Sequence, residues 1–172
     1  MHADASIFDS RRSPQSATAD AKRQPWNAVT ETDTEEDSCP AFGYLRGIRD
    51  RAQMIEFRLR GGNAETFAYG WLASVRCNPS VGLLLKFSGD VVTLVLIRGS
   101  NLDAIVQDRG VNLTDRGLQR HRVVYVREMD EDEIRKTPQG QPTIDHIDIG
   151  EFESADEQSE WLKKTAPVFV RE

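Results

Sequence analysis

Strand-length segments, in which apolar residues either alternate with polar ones or run together, fill the middle of the chain. Between residues 54 and 60 every second side chain is apolar, beginning at Ile55, and mostly charged side chains fill the positions between. A period of two is typical of a half-buried strand. A longer apolar run covers residues 91–97, where Thr93 is the only polar side chain. Both patterns predict strands.

Short links that contain glycine or proline divide the same region into further strands. The predicted strands are residues 54–60, 65–77, 81–87, 91–97 and 101–106, followed by a sixth at 119–128. Gly70 lies inside the second of them, where a glycine usually marks a bulge, a sharp bend or a close approach of the backbone. Because an open flat sheet would leave exposed edges, this series favours a small, strongly bent antiparallel barrel.

A short helix is expected before the barrel. Its start is placed near Ser38 and Pro40, and its apolar side recurs at helical spacing, at Phe42, Leu45, Ile48 and Ala52. The fold class predicted for the chain is therefore mainly β, with a short N-terminal helix, a five-stranded bent antiparallel barrel and an α/β extension.

The extension follows the barrel. Residues 129–143 have the composition of a charged linker, and residues 144–149 and 168–172 are short strand candidates. Between these two candidates, Ser154 and Glu157 have the spacing of a capping box, which predicts the start of a helix.

Composition divides the chain into three predicted regions. Residues 1–38 are expected to be a disordered acidic tail, because they hold too few apolar side chains to offset the cost of ordering. Residues 39–128 form the barrel domain with its extra strand, and residues 129–172 form the acidic linker and the C-terminal extension. Since no apolar run approaches the roughly 18 residues of a membrane span and the start lacks a signal-peptide pattern, we expect a cytoplasmic protein with no membrane partner.

Charge is distributed unevenly along the 172 residues, whose net charge is -6. Residues 1–40 carry 4 basic and 8 acidic side chains, residues 41–128 carry 13 and 8, and residues 129–172 carry 5 and 12. One explanation of a basic centre between acidic ends is that the charges keep the protein soluble. The pattern also fits an anion-binding surface whose tails compete with its ligand.

Arg98 and Gly99 interrupt two apolar segments, and we expect them to form an outward-pointing corner. An arginine held at such a corner can stack on a nucleic-acid base and bind phosphate oxygens through its planar guanidinium group. The alternative is a solvated turn residue that caps carbonyl groups beside a glycine of positive φ.

The order of these elements resembles the Sm-like family, which includes bacterial Hfq. The sequence "VLIRGSNLDAI" at residues 95–105 is similar to the second motif of that family, an apolar strand that ends in Ile-Arg-Gly and is followed by a short strand. The sequence "YGWLASVRCNPSV" at residues 69–81 resembles the first motif, with Gly70 at its glycine. The resemblance covers about residues 41–106, and residues 41–128 are also similar to an uncharacterised bacterial family.

This resemblance implies a subunit that joins its copies edge strand to edge strand into a ring, with loop residues lining a pocket for single-stranded RNA bases. Arg98 matches the loop arginine of the family. Arg76 stands at its acidic position, Ser80 at its asparagine, and Asn78 at the aromatic or histidine between them. The usual uridine pocket is therefore not expected to be intact.

Arginines dominate the predicted nucleic-acid-binding residues, which are Arg98, Arg76, Asn78, Arg58, Arg60, Arg120 and Arg122. Single-strand binders interleave such cations with aromatic side chains, as Trp71 and Tyr125 do here. Exposed arginines opposite an apolar face are also what any solvated strand shows, so the pattern has two interpretations.

Signatures of catalysis and of metal binding are absent from the sequence. Cys39 and Cys77 lie far apart without a nearby pair of histidines, so no zinc site is expected. No glycine-rich phosphate loop is present, and His121 has no serine or cysteine in an activating context. We predict that the protein is not an enzyme and has no metal and no cofactor.

Two functions lead, and an enzyme on residues 107–172 stays open as a third class because active sites without a recognisable motif exist. The first is a non-enzymatic Sm-like module that forms homo-oligomers through its edge strands and binds single-stranded RNA through loop and strand arginines. The alternative is a protein-interaction or scaffold module that does not bind nucleic acid. The altered motif positions Arg76 and Ser80, the acidic ends and an isoelectric point near 5.2 favour the alternative.

Overall fold

Two β-sheets organise the part of the chain that the computed structural model describes, residues 36–106 and 110–170. The strands are β1 Glu36–Ser38, β2 Phe42–Leu45, β3 Met54–Arg58, β4 Ala64–Ala68, β5 Leu72–Asn78, β6 Gly82–Ser88, β7 Val92–Ser100, β8 Val123–Arg127 and β9 Thr143–Phe152. The α-helices are α1 Glu131–Lys136 and α2 Ala155–Thr165, and short 3-10 helices cover Tyr69–Trp71, Leu118–Arg120 and Pro167–Phe169. The prediction of a mainly β fold is confirmed.

The strands form one mixed and one antiparallel sheet. Sheet A has the order β1-β2-β8-β3-β4, in which β3 and β8 are parallel and the other neighbours are antiparallel. Sheet B has the order β5-β6-β7-β9 and is antiparallel throughout. The sheets are not joined into the predicted closed five-stranded barrel, because β7 pairs with β9 and β3 pairs with β8.

The centre of sheet B is buried on both faces, which explains the unbroken apolar run in β7. Val95 and Ile97 belong to the core shared by the two sheets, where the rings of Phe57 and Phe87 lie 6.2 Å apart. The alternate residues of the strand, with Leu94 among them, belong to a second cluster beside α2. A strand covered on both sides has no polar face, and each large apolar side chain that it buries stabilises the fold by about 1.5–3 kcal/mol.

The predicted N-terminal helix is wrong, since the segment forms β1 and β2 instead. All four residues of β2 are buried, and β2 pairs with β8. Gly43 lies against the ring of Tyr125, so that any side chain at this position would overlap the ring. Burial on both faces is compatible with a strand in a core and not with the one-sided helix that the spacing favoured.

Other boundaries differ from the prediction where turns intervene. The strand predicted at residues 65–77 is divided into β4 and β5 by the 3-10 helix that contains Gly70. Residues 101–106 form a short turn and irregular chain, with one isolated bridge from Val106 to Val111, and do not form the predicted fifth strand. The predicted sixth strand is confirmed as β8, although it is shorter.

The C-terminal extension is largely ordered. The predicted charged linker contains α1, which begins with a capping box of Asp130 and Glu133. The first strand candidate is the longer β9, and α2 is confirmed together with the capping box of Ser154 and Glu157. The second candidate is wrong for residues 168–169, which end a 3-10 helix, and residues 171–172 lie outside the described residues.

The described residues, 36–106 and 110–170, belong to one compact unit. Because β9 pairs with β7 along its length, the acidic extension supplies the outermost strand of sheet B. The tail predicted to be disordered lies mainly outside the described residues. Its last three residues, however, are not disordered but form β1, because they pair with β2.

Gly99 is predicted to be required for the pairing of β7 with β9. A methyl group at this position would overlap the carbonyl group of Thr143, so Gly99→Ala should lower the free energy of unfolding by about 1–3 kcal/mol, measured by urea denaturation. The control is Gly70→Ala, since nothing lies within 4 Å of a methyl group there. That variant should equal the wild type or be more stable by about 0.4–1 kcal/mol. Equal stability of the two variants would contradict the role of Gly99 in the pairing of β7 with β9.

Candidate functional site

Arg98 and Gly99 do not form a corner. They lie inside β7, at an irregularity of its pairing with β9, where Arg98 is opposite His146. Arg98 Nε donates a hydrogen bond to Asp148 Oδ2 at 3.0 Å, and Arg98 Nη2 donates to the carbonyl oxygen of Thr165 at 2.9 Å. The arginine therefore fixes the end of α2 to β9, and the prediction of an outward-pointing corner is wrong because β9 extends the pairing of this strand.

Polar side-chain contacts continue from Arg98 along β9. Asp148 Oδ1 lies 3.0 Å from His146 Nε2, and His146 Nδ1 lies 2.8 Å from Glu128 Oε1. The side chain of Glu128 is only 6% exposed. Its carboxylate also accepts hydrogen bonds from the backbone N–H groups of Arg60 and Ile147, each at 2.7 Å.

The surroundings of Glu128 stabilise its ionised form. Burial alone would raise the pKa of this carboxyl group, but the backbone N–H donors of Arg60 and Ile147 and the neighbouring ring of His146 outweigh burial, so that the pKa is lowered. The carboxylate thereby connects the end of β8 to β3 and β9.

Arg76 also holds the C-terminal segment in place. It donates from Nη1 to the carbonyl oxygen of Phe169, and its guanidinium carbon lies 5.2 Å from the centre of the Phe169 ring. Asn78 accepts a hydrogen bond from the backbone N–H of Ser80 through its side-chain oxygen, at 2.9 Å. Arg76 thus supports the C-terminal segment, and Asn78 supports the turn between β5 and β6.

The arginines on and just after β3 contact sheet A and its surroundings. Arg58 pairs with Glu56 at 2.7 Å and lies over the ring of Tyr125, 3.8 Å from its centre. Arg60 donates to the carbonyl oxygens of Met129 and Asp145, both at 2.8 Å.

Arg122 is buried, with 5% of its surface exposed. Its guanidinium donates to the carbonyl oxygen of Leu45 at 2.7 and 3.1 Å and to that of Arg46 at 2.9 Å. Burial lowers the pKa of Arg122, and the positive charges of Arg51 and Arg120 add to this effect. Arg120 is exposed on its 3-10 helix.

The seven predicted residues therefore do not converge on one surface. Arg76 and Arg98 both bind carbonyl oxygens of the C-terminal segment, whereas Arg58 and Arg60 lie on or just beyond β3 in sheet A. Asn78 contributes to a small pocket of about 190 Å³ where the two sequence motifs meet, lined by Cys77, Asn78, Pro79, Gly82, Gly99, Asn101, Leu102 and Asp103. No arginine lines that pocket, whose charged group is a carboxylate.

A larger groove lies between the outer face of sheet B and the C-terminal segment, with a volume of about 510 Å³. We call it the α2 groove. It is lined by Ala73, Ser74 and Arg76 of β5, Leu84, Lys86 and Ser88 of β6, Leu94 of β7, Ala155, Gln158, Ser159 and Leu162 of α2, and Phe169 and Val170. No lining residue is acidic, although the chain carries a net charge of -6.

Sequence analysis missed this groove. Its helical wall is a stripe of positions 155, 158, 159 and 162, which have the spacing of one helix face, and the acidic residues of α2 lie at other positions. Two signals were available, this uncharged stripe and the unbroken apolar run of β7. Neither showed that α2 packs on the outer face of sheet B.

Arg122 is predicted to be a structural residue. Arg122→Met would leave the carbonyl groups of Leu45 and Arg46 without these donors, so we expect the free energy of unfolding to fall by about 1–3 kcal/mol. The exposed neighbour provides the control, since Arg120→Met should change stability by no more than roughly 0.5 kcal/mol. Urea denaturation of both variants checks this, and a stable Arg122→Met protein would exclude the role.

Stability is predicted to depend on the charge of Glu128. Because its pKa is lower in the folded than in the unfolded protein, its contribution is complete above the unfolded value of about 4.3 and is lost as pH falls through the folded value. Glu128→Gln should therefore be less stable than the wild type at pH 7, and the difference should shrink as the pH falls below about 4. Urea denaturation across this range tests the trend, with the exposed Glu131→Gln as control; a difference that does not change with pH would contradict it.

Within residues 36–106 and 110–170, no group of three His, Cys, Asp or Glu side chains is placed to hold a metal ion, and no helix has the length and hydropathy needed to cross a bilayer. No family model matches the sequence, no curated protein matches it, and no solved structure matches the fold.

Proposed function

We propose that this chain is a non-enzymatic protein-interaction module that binds an extended, acidic segment of a partner protein in the α2 groove. The observation that carries the proposal is the lining of the groove. Leucines and Phe169 offer an apolar floor, and among the described lining residues Arg76 and Lys86 are the charged ones and none carries a carboxylate. Binding grooves combine apolar walls with a few polar groups in this way.

Lys86 supplies the cation for this role. It is half-buried on β6, and no described residue forms a hydrogen bond or ion pair with its side chain. Arg76 already binds the carbonyl oxygen of Phe169, and its charge adds to that of Lys86 without being neutralised. A partner carboxylate would therefore meet two positive charges beside apolar surface, where such an interaction is screened less than in open water.

The RNA-binding alternative has weaker support. Five of the six arginines proposed to contact RNA donate to carbonyl oxygens or carboxylates within the chain, and Arg122 is buried. Binding of a nucleic-acid backbone relies on cations free to neutralise phosphates. Arg120 alone of the six has an exposed side chain without a hydrogen bond to another described residue.

We keep the Sm-like resemblance as a proposal for strands β3 to β7 alone. These strands follow one another along the chain in the order that the family pattern has. Ring assembly through the edge of β7 is disfavoured, since β9 already pairs with that edge at nine positions. A copy of the chain would have to displace β9 before it could pair there, so the proposed module does not depend on a ring.

Screening of displayed random heptapeptides tests the proposed function. The wild type should enrich peptides of negative net charge, whereas Lys86→Glu should lose them and enrich basic peptides, because the charge of the groove is reversed. Lys136→Glu, on the exposed face of α1, makes the same charge change outside the groove and should select like the wild type.

Two outcomes would overturn this function. One is the absence of any enriched peptide, and the other is an identical selection by wild type and Lys86→Glu. A labelled oligouridine of about 16 nucleotides is titrated in parallel at two salt concentrations. If it binds, with a slope near -0.7 in log K against log salt for each phosphate contact, while no peptide binds, the RNA-binding alternative replaces the proposal.

A further inference from the structure

We infer that the partner segment joins sheet B as an additional strand, along the free edge of β5. This inference rests on the proposed function and adds the way in which the partner is held. Peptides that extend a sheet gain affinity from main-chain hydrogen bonds and specificity from alternate side chains. Both parts of such a site are present at β5.

The edge of β5 is open. β5 is the last strand of sheet B and pairs only with β6. Apart from the 3-10 and hairpin turn bonds at its two ends, no segment among the described residues forms a backbone hydrogen bond with β5 from outside its pairing with β6. In an antiparallel strand every second residue directs its N–H and C=O groups away from its one partner, so these groups of β5 are available to another strand.

The opposite edge of sheet B is occupied over its first half. On the side of β9 that faces away from β7, the carbonyl oxygen of Ile144 accepts from the N–H of Met129 at 2.8 Å, and that of Asp145 accepts from Arg60. The N–H of Ile147 donates to Glu128. These contacts interrupt the edge of β9 at residues 144–147, and the α2 groove is lined by β5 and not by β9, so β5 is the edge on which we place the partner.

The α2 groove continues from this edge across the outer face of the sheet. Arg76 is opposite Leu84 on β6, and Ser74 is opposite Lys86, which in turn is opposite Leu94 on β7. These pairs form two rows of side chains across the sheet, one that starts at Arg76 and one that starts at Ser74. A strand added to β5 would place alternate side chains next to the first residue of each row. The first row begins with the cation of Arg76. The second leads past the small Ser74 to Lys86 and the apolar floor.

This arrangement specifies the chemistry of the partner. Side chains two residues apart in the added strand share one face of the sheet. A carboxylate beside Arg76 and a long acidic or apolar side chain beside Ser74 would meet complementary groups. β5 spans Leu72–Asn78, and its two end residues already form turn bonds, so about five partner residues, or roughly 17 Å of extended chain, would be engaged.

Alternate N-methylation of the peptide tests the inference without any change to the protein. The acidic heptapeptide most strongly enriched in the display experiment is synthesised in three forms: unmodified, N-methylated at odd positions, and N-methylated at even positions. In an added strand only every second N–H group bonds to β5. One methylated form should therefore lose at least tenfold in affinity by fluorescence polarisation, and the other should bind more nearly like the unmodified peptide.

The outcomes separate the inference from the function on which it rests. If no peptide binds, both fall. If the unmodified peptide binds to the wild type and not to Lys86→Glu, but both methylated forms keep its affinity or both lose it, the groove binds peptides in a mode other than strand addition and the inference is overturned. Lys136→Glu should show the same alternation as the wild type.

Discussion

Strand β7 is the element on which the rest of the structure depends, because it is paired along both edges and covered on both faces. β6 and β9 occupy its edges, while Val95 and Leu94 represent the two apolar clusters on its opposite faces. Such a position leaves no place for an exposed polar side chain within the strand. Arg98 is accommodated near its end only because Asp148 and the carbonyl oxygen of Thr165 bind it.

Local patterns in the sequence predicted several elements correctly. They failed where pairing with a segment far away along the chain determines the secondary structure. The alternation around Ile55 gave β3, and the capping box at Ser154 gave α2. The spacing around Phe42 indicated a helix, but pairing with β8, about 80 residues away along the chain, makes this segment a strand. The pairing of β9 with β7 is equally non-local, so the closure of that edge was not predictable.

In the candidate site, too, local features of the sequence were predictable and contacts between distant residues were not. Its charges could be counted from the sequence, and the basic composition of the central region was evident. Which arginines are free could not be predicted, because Arg98 and Arg76 are bound by the carbonyl groups of a segment some 70 to 90 residues further along. The groove exists because that segment covers one part of the outer face of sheet B and leaves the part next to β5 uncovered.

The position of β9 in the sequence affects how the protein is made. Residues 143–152 leave the ribosome more than 40 residues after β7, so that a nascent chain carries a nine-residue strand with one open edge and an uncovered row of leucines until β9 has been synthesised. Open edges of this kind are sites of misassembly between chains. The time between translation of β7 and translation of β9 is therefore the period in which a nascent chain of this protein is most exposed to aggregation. A chain terminated before residue 143 would keep the open edge of β7 permanently.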